Sequence, residues 1–213
     1  MNISTELYSA MGACVFSILS GFFGDKLPTT EQGLATQVVL AEMQSHTYPP
    51  ALLPAVMAVA AVESAYRFDA RSPVGAVGLM QMMPIAHRDL KDYIVHTREE
   101  YKWYHKAPSV CAPGIWEAIP WSSIESSPSV NVAAGACFLW KQVIHYEGDI
   151  PKALAHYNGG GRGVRNYLAG RDGETLRYVE KVTGLLDTPQ CGNFYTLVNQ
   201  LAEQPDAAEG DAQ

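Results

Sequence analysis

Apolar residues in this chain recur mostly at steps of three and four, and strand-like alternation is weak. Residues 7–23 carry no charge, and Leu7, Met11, Val15, Ile18 and Phe22 fall on one helical face. Thr30 is placed to cap a helix to about Ser45. Pro49 and Pro50 open a second helix through ALLPAVMAVAAVESA, with Pro54 tolerated in its first turns. A glycine-bearing loop (SPVGAVG) follows, and a short helix begins near Pro84. Residues 92–128 read as irregular, broken by Pro108, Pro113, Pro120 and Pro128. Ser129 starts a strongly apolar helix to about Tyr146. Asp149 caps PKALAHY, which stops at Asn158-Gly159. Helices over 163–169 and from about Glu174 to Leu186 complete the pattern. No internal repeat is visible.

The pattern predicts a mainly helical fold. The 213 residues suit one domain, with 1–28 as an N-terminal apolar helix and linker, 29–190 as the main domain with an insertion at about 88–128, and 191–213 as a C-terminal extension. The 7–23 run has three readings: a helix packed on the domain, a helix inserted into a membrane or a partner, and an atypical export signal. MNISTE lacks the positive residues of a signal, and the run is short and Ser/Gly-rich for a spanning helix.

Composition narrows the functions. The net charge is −7, so a basic nucleic-acid footprint is missing. Glu203, Asp206, Glu209 and Asp211 place much of that charge in an acidic tail. Cys14, Cys111, Cys137 and Cys191 form no CxxC motif, so they fit either free thiols or one or two disulfides. Cys14, inside an apolar run, reads as a small buried hydrophobe. The glycines at 159–161 and 163 lack phosphate-loop spacing, and there is no HExxH or GxSxG. His87, His96 and His105 are nine residues apart, which is no one-face metal spacing. No metal or organic cofactor is implied.

Glu63 is the most informative residue. Val56, Val59 and Ala60 neighbour it at helical spacing, and a carboxylate desolvated by such a surface has a raised pKa. That is how a carboxylic acid stays protonated near neutrality for use as a general acid. The competing reading is a helix-end glutamate pointing into water.

The blocks around Glu63 extend the case. Glu63-Ser64 is followed by Ser72, Gly75-Ala76, Gly78-Leu79-Met80-Gln81, Pro84 and Ala86. Asn131, Gly135 and Leu139 lead to Ala153-Leu154-Ala155-His156-Tyr157-Asn158-Gly159-Gly160-Gly161, and Glu174-Thr175, Tyr178-Val179 and Val182 close the series. These ordered blocks, over roughly 50–185, resemble the soluble, goose-lysozyme-like lytic transglycosylases. Ile85 stands where that family usually has Thr, and His156 where it commonly has a small residue.

The resemblance implies a lysozyme-like, mainly helical fold of the α+β lysozyme superfamily. It implies cleavage of the β-1,4 bond between N-acetylmuramic acid and N-acetylglucosamine in peptidoglycan glycan strands. Glu63 would be the catalytic acid and then base, giving 1,6-anhydro products without water. Tyr157 would hydrogen-bond near Glu63 and hold its orientation, and Asn158 would organise the same loop. Met80 and Gln81 would line the sugar cleft, Ser72 would sit close to the acid, and Glu174 with Tyr178 would close the groove. Met80, Met82 and Met83 also read as core filler. Tyr93, Tyr101, Trp103, Tyr104, Trp116 and Trp121 in the insertion suit sugar rings or self-anchoring.

A hydrolytic muramidase differs only in admitting water, and a non-catalytic wall-binding component of a virion or secretion machine is the non-enzymatic alternative. The N-terminus tilts the expectation towards a phage particle acting on the wall, with the apolar helix docking on a virion partner or meeting the membrane.

Overall fold

A computed structural model describes residues 5–45, 48–49, 52–92, 109–112, 114–171, 173–192 and 194–195. Helix α3 (Leu52–Ser64) is the axis of the fold. Its Ala- and Val-rich sequence is buried on nearly every side, as the centre of a helical packing arrangement requires. Around it pack α1 (Thr5–Phe23), α2 (Thr30–Ser45), α7 (Pro128–His145) and α9 (Glu174–Leu186). Helix α8 (Ile150–Leu168) lies between α7 and α9, and α4 (Pro84–Asp92) packs on α7. Strands are absent among the described residues. Isolated antiparallel bridges, Arg71 with Val77 and Val77 with Met82, shape the loop between α3 and α4.

Helix boundaries follow local chemistry and correct the sequence expectation in two places. Thr29, not Thr30, caps α2: its hydroxyl accepts from the Gln32 amide at 3.2 Å, and Gln32 Oε1 accepts from the Thr29 amide at 3.0 Å. This reciprocal pair is a capping box. Ser127, two residues before the expected start, caps α7 ahead of Pro128. The stop expected at Asn158-Gly159 is present as a kink: Gly160 leaves helical geometry at φ 57°, and a second helical piece runs from there to Leu168. Asp149 does cap α8, accepting from the Lys152 amide at 3.0 Å. Within the stretch expected to be irregular, α5 (Ile115–Ala118) and α6 (Trp121–Ser126) form two short helices.

Helix α1 belongs to the core. Met11, Cys14, Val15 and Ile18 are buried on the face the periodicity marked, against α3, α9 and the 3-10 turn Pro189–Cys191. Of the three readings of this run, the packing helix is the one observed, with Met11, Cys14, Val15 and Ile18 turned into the core. Among the described residues no helix is long and apolar enough to cross a membrane.

All four cysteines are paired, which corrects the reading of Cys14 as a plain hydrophobe. Cys14–Cys191 joins α1 to the C-terminal turn, with Cα atoms 4.6 Å apart. Cys111–Cys137 joins the segment before α5 to α7. Sequence spacing could not reveal either pairing, because the partners lie 177 and 26 residues apart. A bond closing the longer loop removes more freedom from the unfolded chain. Replacing Cys14 and Cys191 together by Ser should lower unfolding stability by about 2–5 kcal/mol in non-reducing urea titrations. An unchanged midpoint would show that α1 holds without its covalent tie.

Candidate active site

Glu63 lies in the last turn of α3, where the chain turns abruptly. Ala65 and Tyr66 both adopt left-handed backbone, with φ of 52° and 57°. Such residues carry local strain and persist only when surroundings over-determine them. Here the surroundings do so. The fully buried Tyr66 hydroxyl donates to the Met57 carbonyl at 2.8 Å. Phe22 meets the Tyr66 ring edge-on at 5.6 Å and Phe23 stacks on it at 6.0 Å. Gln32 Nε2 donates to the Ala65 carbonyl at 3.1 Å. Helix α1 and the capping glutamine of α2 thus fix where α3 stops.

The environment of Glu63 disfavours its charge. Burial pushes its carboxyl from the ordinary 4.5 up to about 7. Glu174 adds to the rise by like-charge repulsion, and Tyr178 acts the other way by offering its hydroxyl to the carboxylate. Position at the negative end of a helix works in the same direction as burial. Glu174 and Tyr178 are one turn apart on α9, so one helical face delivers both to Glu63. The Tyr178 hydroxyl is buried and has no hydrogen bond of full geometry, so it faces the carboxyl as a spare donor. Tyr157 is also close enough to feel the Glu63 charge.

Tyr157 does not hold Glu63 by a hydrogen bond, which corrects its expected role. Its hydroxyl donates to the Met80 carbonyl at 2.8 Å and lies 3.8 Å from Met82 Sδ. It therefore fixes the 78–82 loop. The same loop is held from behind by Asn131, a matched residue to which the sequence assigned no role. Asn131 Oδ1 accepts from the Met80 amide at 2.9 Å, and its Nδ2 donates to the Val77 carbonyl at 3.0 Å and the Ile124 carbonyl at 3.3 Å. Every polar atom of this buried amide is satisfied. Gly78, at φ 75°, lets Asn131 approach: a Cβ there would fall 2.5 Å from Nδ2. A Cβ on Gly135 would fall 2.4 Å from the Met80 Cβ. The spacing of Gly78, Asn131 and Gly135 thus records one close contact between the loop and α7.

Met80 is fully buried against Gly135, so its side chain cannot line a sugar cleft; core filler is the observed reading. Gln81 does line the cleft, while its Nε2 donates to the Ala70 and Gly78 carbonyls at 2.9 and 3.0 Å. Ser72 lies in a tight turn where its hydroxyl accepts from the Ala76 amide at 2.9 Å. Its backbone closes the same turn with Gly75 and Ala76. The structure brings Glu63, Tyr157, Glu174 and Tyr178 together and leaves Met80 and Ser72 as supports of the loop.

A cleft of about 550 Å³ meets this group at Tyr157 and is lined also by Gln81, Met82, Ile85, Phe138 and Asn158 among others. A smaller hollow of about 250 Å³ is lined by Arg162, Glu174 and Thr175. Gly159 borders both. Its missing side chain makes room for Thr175, whose hydroxyl would lie 2.8 Å from an added Cβ. Trp116 is 2 % exposed and cannot stack on a sugar, so it anchors its own segment. Trp121 packs on the His87 ring at 5.9 Å. Tyr93, Tyr101, Trp103 and Tyr104 lie outside the described residues. His87 meets the Ile119 carbonyl at 3.0 Å through Nε2, a structural contact. Among the described residues, no three His, Cys, Asp or Glu side chains are placed to share a metal ion.

Comparison with known proteins adds a partial match. Residues 40–107 match the model of the Transglycosylase SLT domain, a span that contains Glu63 and the whole block to Ala86. The chain is also similar to a solved structure of the lytic transglycosylase Slt from Pseudomonas aeruginosa, an inactive mutant. Identity is 20 %, the TM-score is 0.46, and the alignment covers 88 % of this chain and 26 % of that one. This chain spans about a quarter of that protein's length.

Glu63 should leave a signature in stability. Its folded pKa, about 7, exceeds the ordinary 4.5, so the folded chain holds this proton more tightly than the unfolded one. The resulting stability is complete below pH 4.5 and is lost as the pH rises through 7. Glu63→Gln removes that dependence. At pH 8 the variant should exceed the wild type by on the order of 3 kcal/mol, with the excess vanishing near pH 4. Urea unfolding across the pH range measures this; a constant difference would place the carboxyl in water.

Proposed function

We propose that this protein is a peptidoglycan lytic transglycosylase in which Glu63 performs both proton transfers. The observation that carries the reading is a carboxyl held near pKa 7 by burial, inside the segment that matches the SLT domain. The neutral acid donates its proton to the glycosidic oxygen as the bond to the anomeric carbon breaks. The carboxylate left behind receives the Tyr178 hydroxyl as a donor, which lowers the cost of charge at that moment. It then removes the proton of the muramic acid C6 hydroxyl while that oxygen bonds the anomeric carbon. The product is a 1,6-anhydro sugar, and Glu63 is again protonated.

One carboxyl in this scheme does what most glycoside hydrolases divide between two. Glu174 is the second carboxylate near Glu63, and repulsion between the two favours the protonated form at rest. Asn158, Gln81 and Tyr157 line the cleft and are the residues we assign to glycan contact. The two disulfides support action in an oxidising compartment, on the wall side of the membrane.

Digestion of purified sacculi followed by mass spectrometry tests the reaction. The expected products are 1,6-anhydromuropeptides, and Glu63→Gln should reduce their release by at least about a hundredfold, the low end for loss of a general acid. Products with reducing ends only would identify a hydrolytic muramidase. The rate should also fall tenfold per pH unit above about 7, as the acid ionises. In Tyr178→Phe, which lacks the hydroxyl that lowers the Glu63 pKa, this descending limb should move to higher pH.

A further inference from the structure

His156 stands one residue before Tyr157, lines the same cleft, and is half-buried. Its Nδ1 lies 2.9 Å from the hydroxyl of Tyr146, at the end of α7. Burial raises the Tyr146 pKa, so that hydroxyl keeps its single proton. Nδ1 is the acceptor that the described residues offer this hydroxyl, so its proton is satisfied within the protein when it donates and Nδ1 accepts.

In that arrangement the ring is the neutral tautomer that carries its proton on Nε2. Burial, His145 and Lys141 all disfavour a second proton, and Asp89 alone favours it. No described protein group accepts from Nε2. In the same cleft, Met83, Ile85, Ala86 and Phe138 give an apolar wall. Asp89, on the same wall, is held by Lys141 at 2.6 Å, so the net charge there is small and neither strong anion nor cation binding is favoured. A lone N–H donor beside an apolar surface suits a carbonyl oxygen carrying a methyl group.

We propose that His156 is a specificity-determining residue of the cleft: its Nε2–H takes the carbonyl oxygen of an acylamino group on the ligand, and the attached methyl lies on Ile85 and Phe138. This deepens the function proposed above by assigning a substrate contact to a residue that the matched motifs do not supply. In a wall polymer the acylamino group has two sources, the acetamido group of a sugar and the amide that begins the peptide stem.

Calorimetric binding separates this contact from catalysis. The probes are a tetramer of N-acetylglucosamine, its de-N-acetylated counterpart, and glycan strands with and without peptide stems. With a sugar acetamido group as ligand, His156→Ala should bind the acetylated tetramer about tenfold more weakly, the worth of one neutral hydrogen bond. Removing the acetyl groups should then weaken the wild type but add little to the loss in the variant, as two changes on one contact must. With the stem amide as ligand, the tenfold loss should appear only on stem-bearing strands. His156→Gln, which keeps a donor in the cleft, should recover part of either loss, and turnover on sacculi should show a raised KM with kcat retained. Wild-type affinity of folded His156→Ala for all four probes would overturn the proposal. Selective loss of binding in a protein that releases no anhydro sugar would overturn the reaction instead and leave this contact standing.

Discussion

A carboxyl buried at the end of a helix is costly to ionise, and most of the site is built to keep Glu63 in that condition. Helix α3 supplies the apolar flank, because Val59 and Ala60 are fully buried beside it. Helix α9 supplies the two polar neighbours, Tyr178 and Glu174, from one face. Their effects oppose each other. Glu174 resists ionisation, whereas the Tyr178 hydroxyl becomes useful only once a charge forms. In the proposed reaction Glu63 holds a proton, releases it and takes another back, which calls on both.

That arrangement depends on parts of the chain far from Glu63 in sequence. The left-handed turn at Ala65 and Tyr66 is braced by Phe22 and Phe23 of α1, and α1 is tied to the C-terminal turn by Cys14–Cys191. The opposite wall is braced through Asn131, whose three hydrogen bonds fix the loop that Tyr157 grips from the other side. Preorganisation of this kind keeps reacting groups from having to move when charge develops. Its cost is a buried acid that lowers stability at neutral and alkaline pH.

Much of this was legible in the sequence, and the failures have physical causes. Helical periodicity located the long helices, because a face that packs on a core repeats at 3.6 residues. Glu63 stands out through the motif blocks that follow it, because apolar neighbours alone leave a helix-end glutamate in water as an equally simple reading. The Thr29 and Ser127 caps were missed by one or two residues, since neighbouring Ser and Thr compete for the same role. The resemblance places both Tyr157 and Tyr178 near Glu63, and both feel its charge. Which of them serves the carboxyl depends on three-dimensional direction, and motif spacing does not encode that. Met80 was read as cleft or core with equal ease, since a methionine suits both. The disulfides join residues with no local signature.

The central claim concerns one proton, and direct titration of Glu63 addresses it. Carbon NMR of the side-chain carboxyl, assigned by comparison with Glu63→Gln, reports ionisation in the free protein. The account predicts a midpoint near pH 7, well above the ordinary 4.5. A midpoint at or below 4.5 would mean that the carboxyl is ionised throughout the working range and cannot be the resting acid.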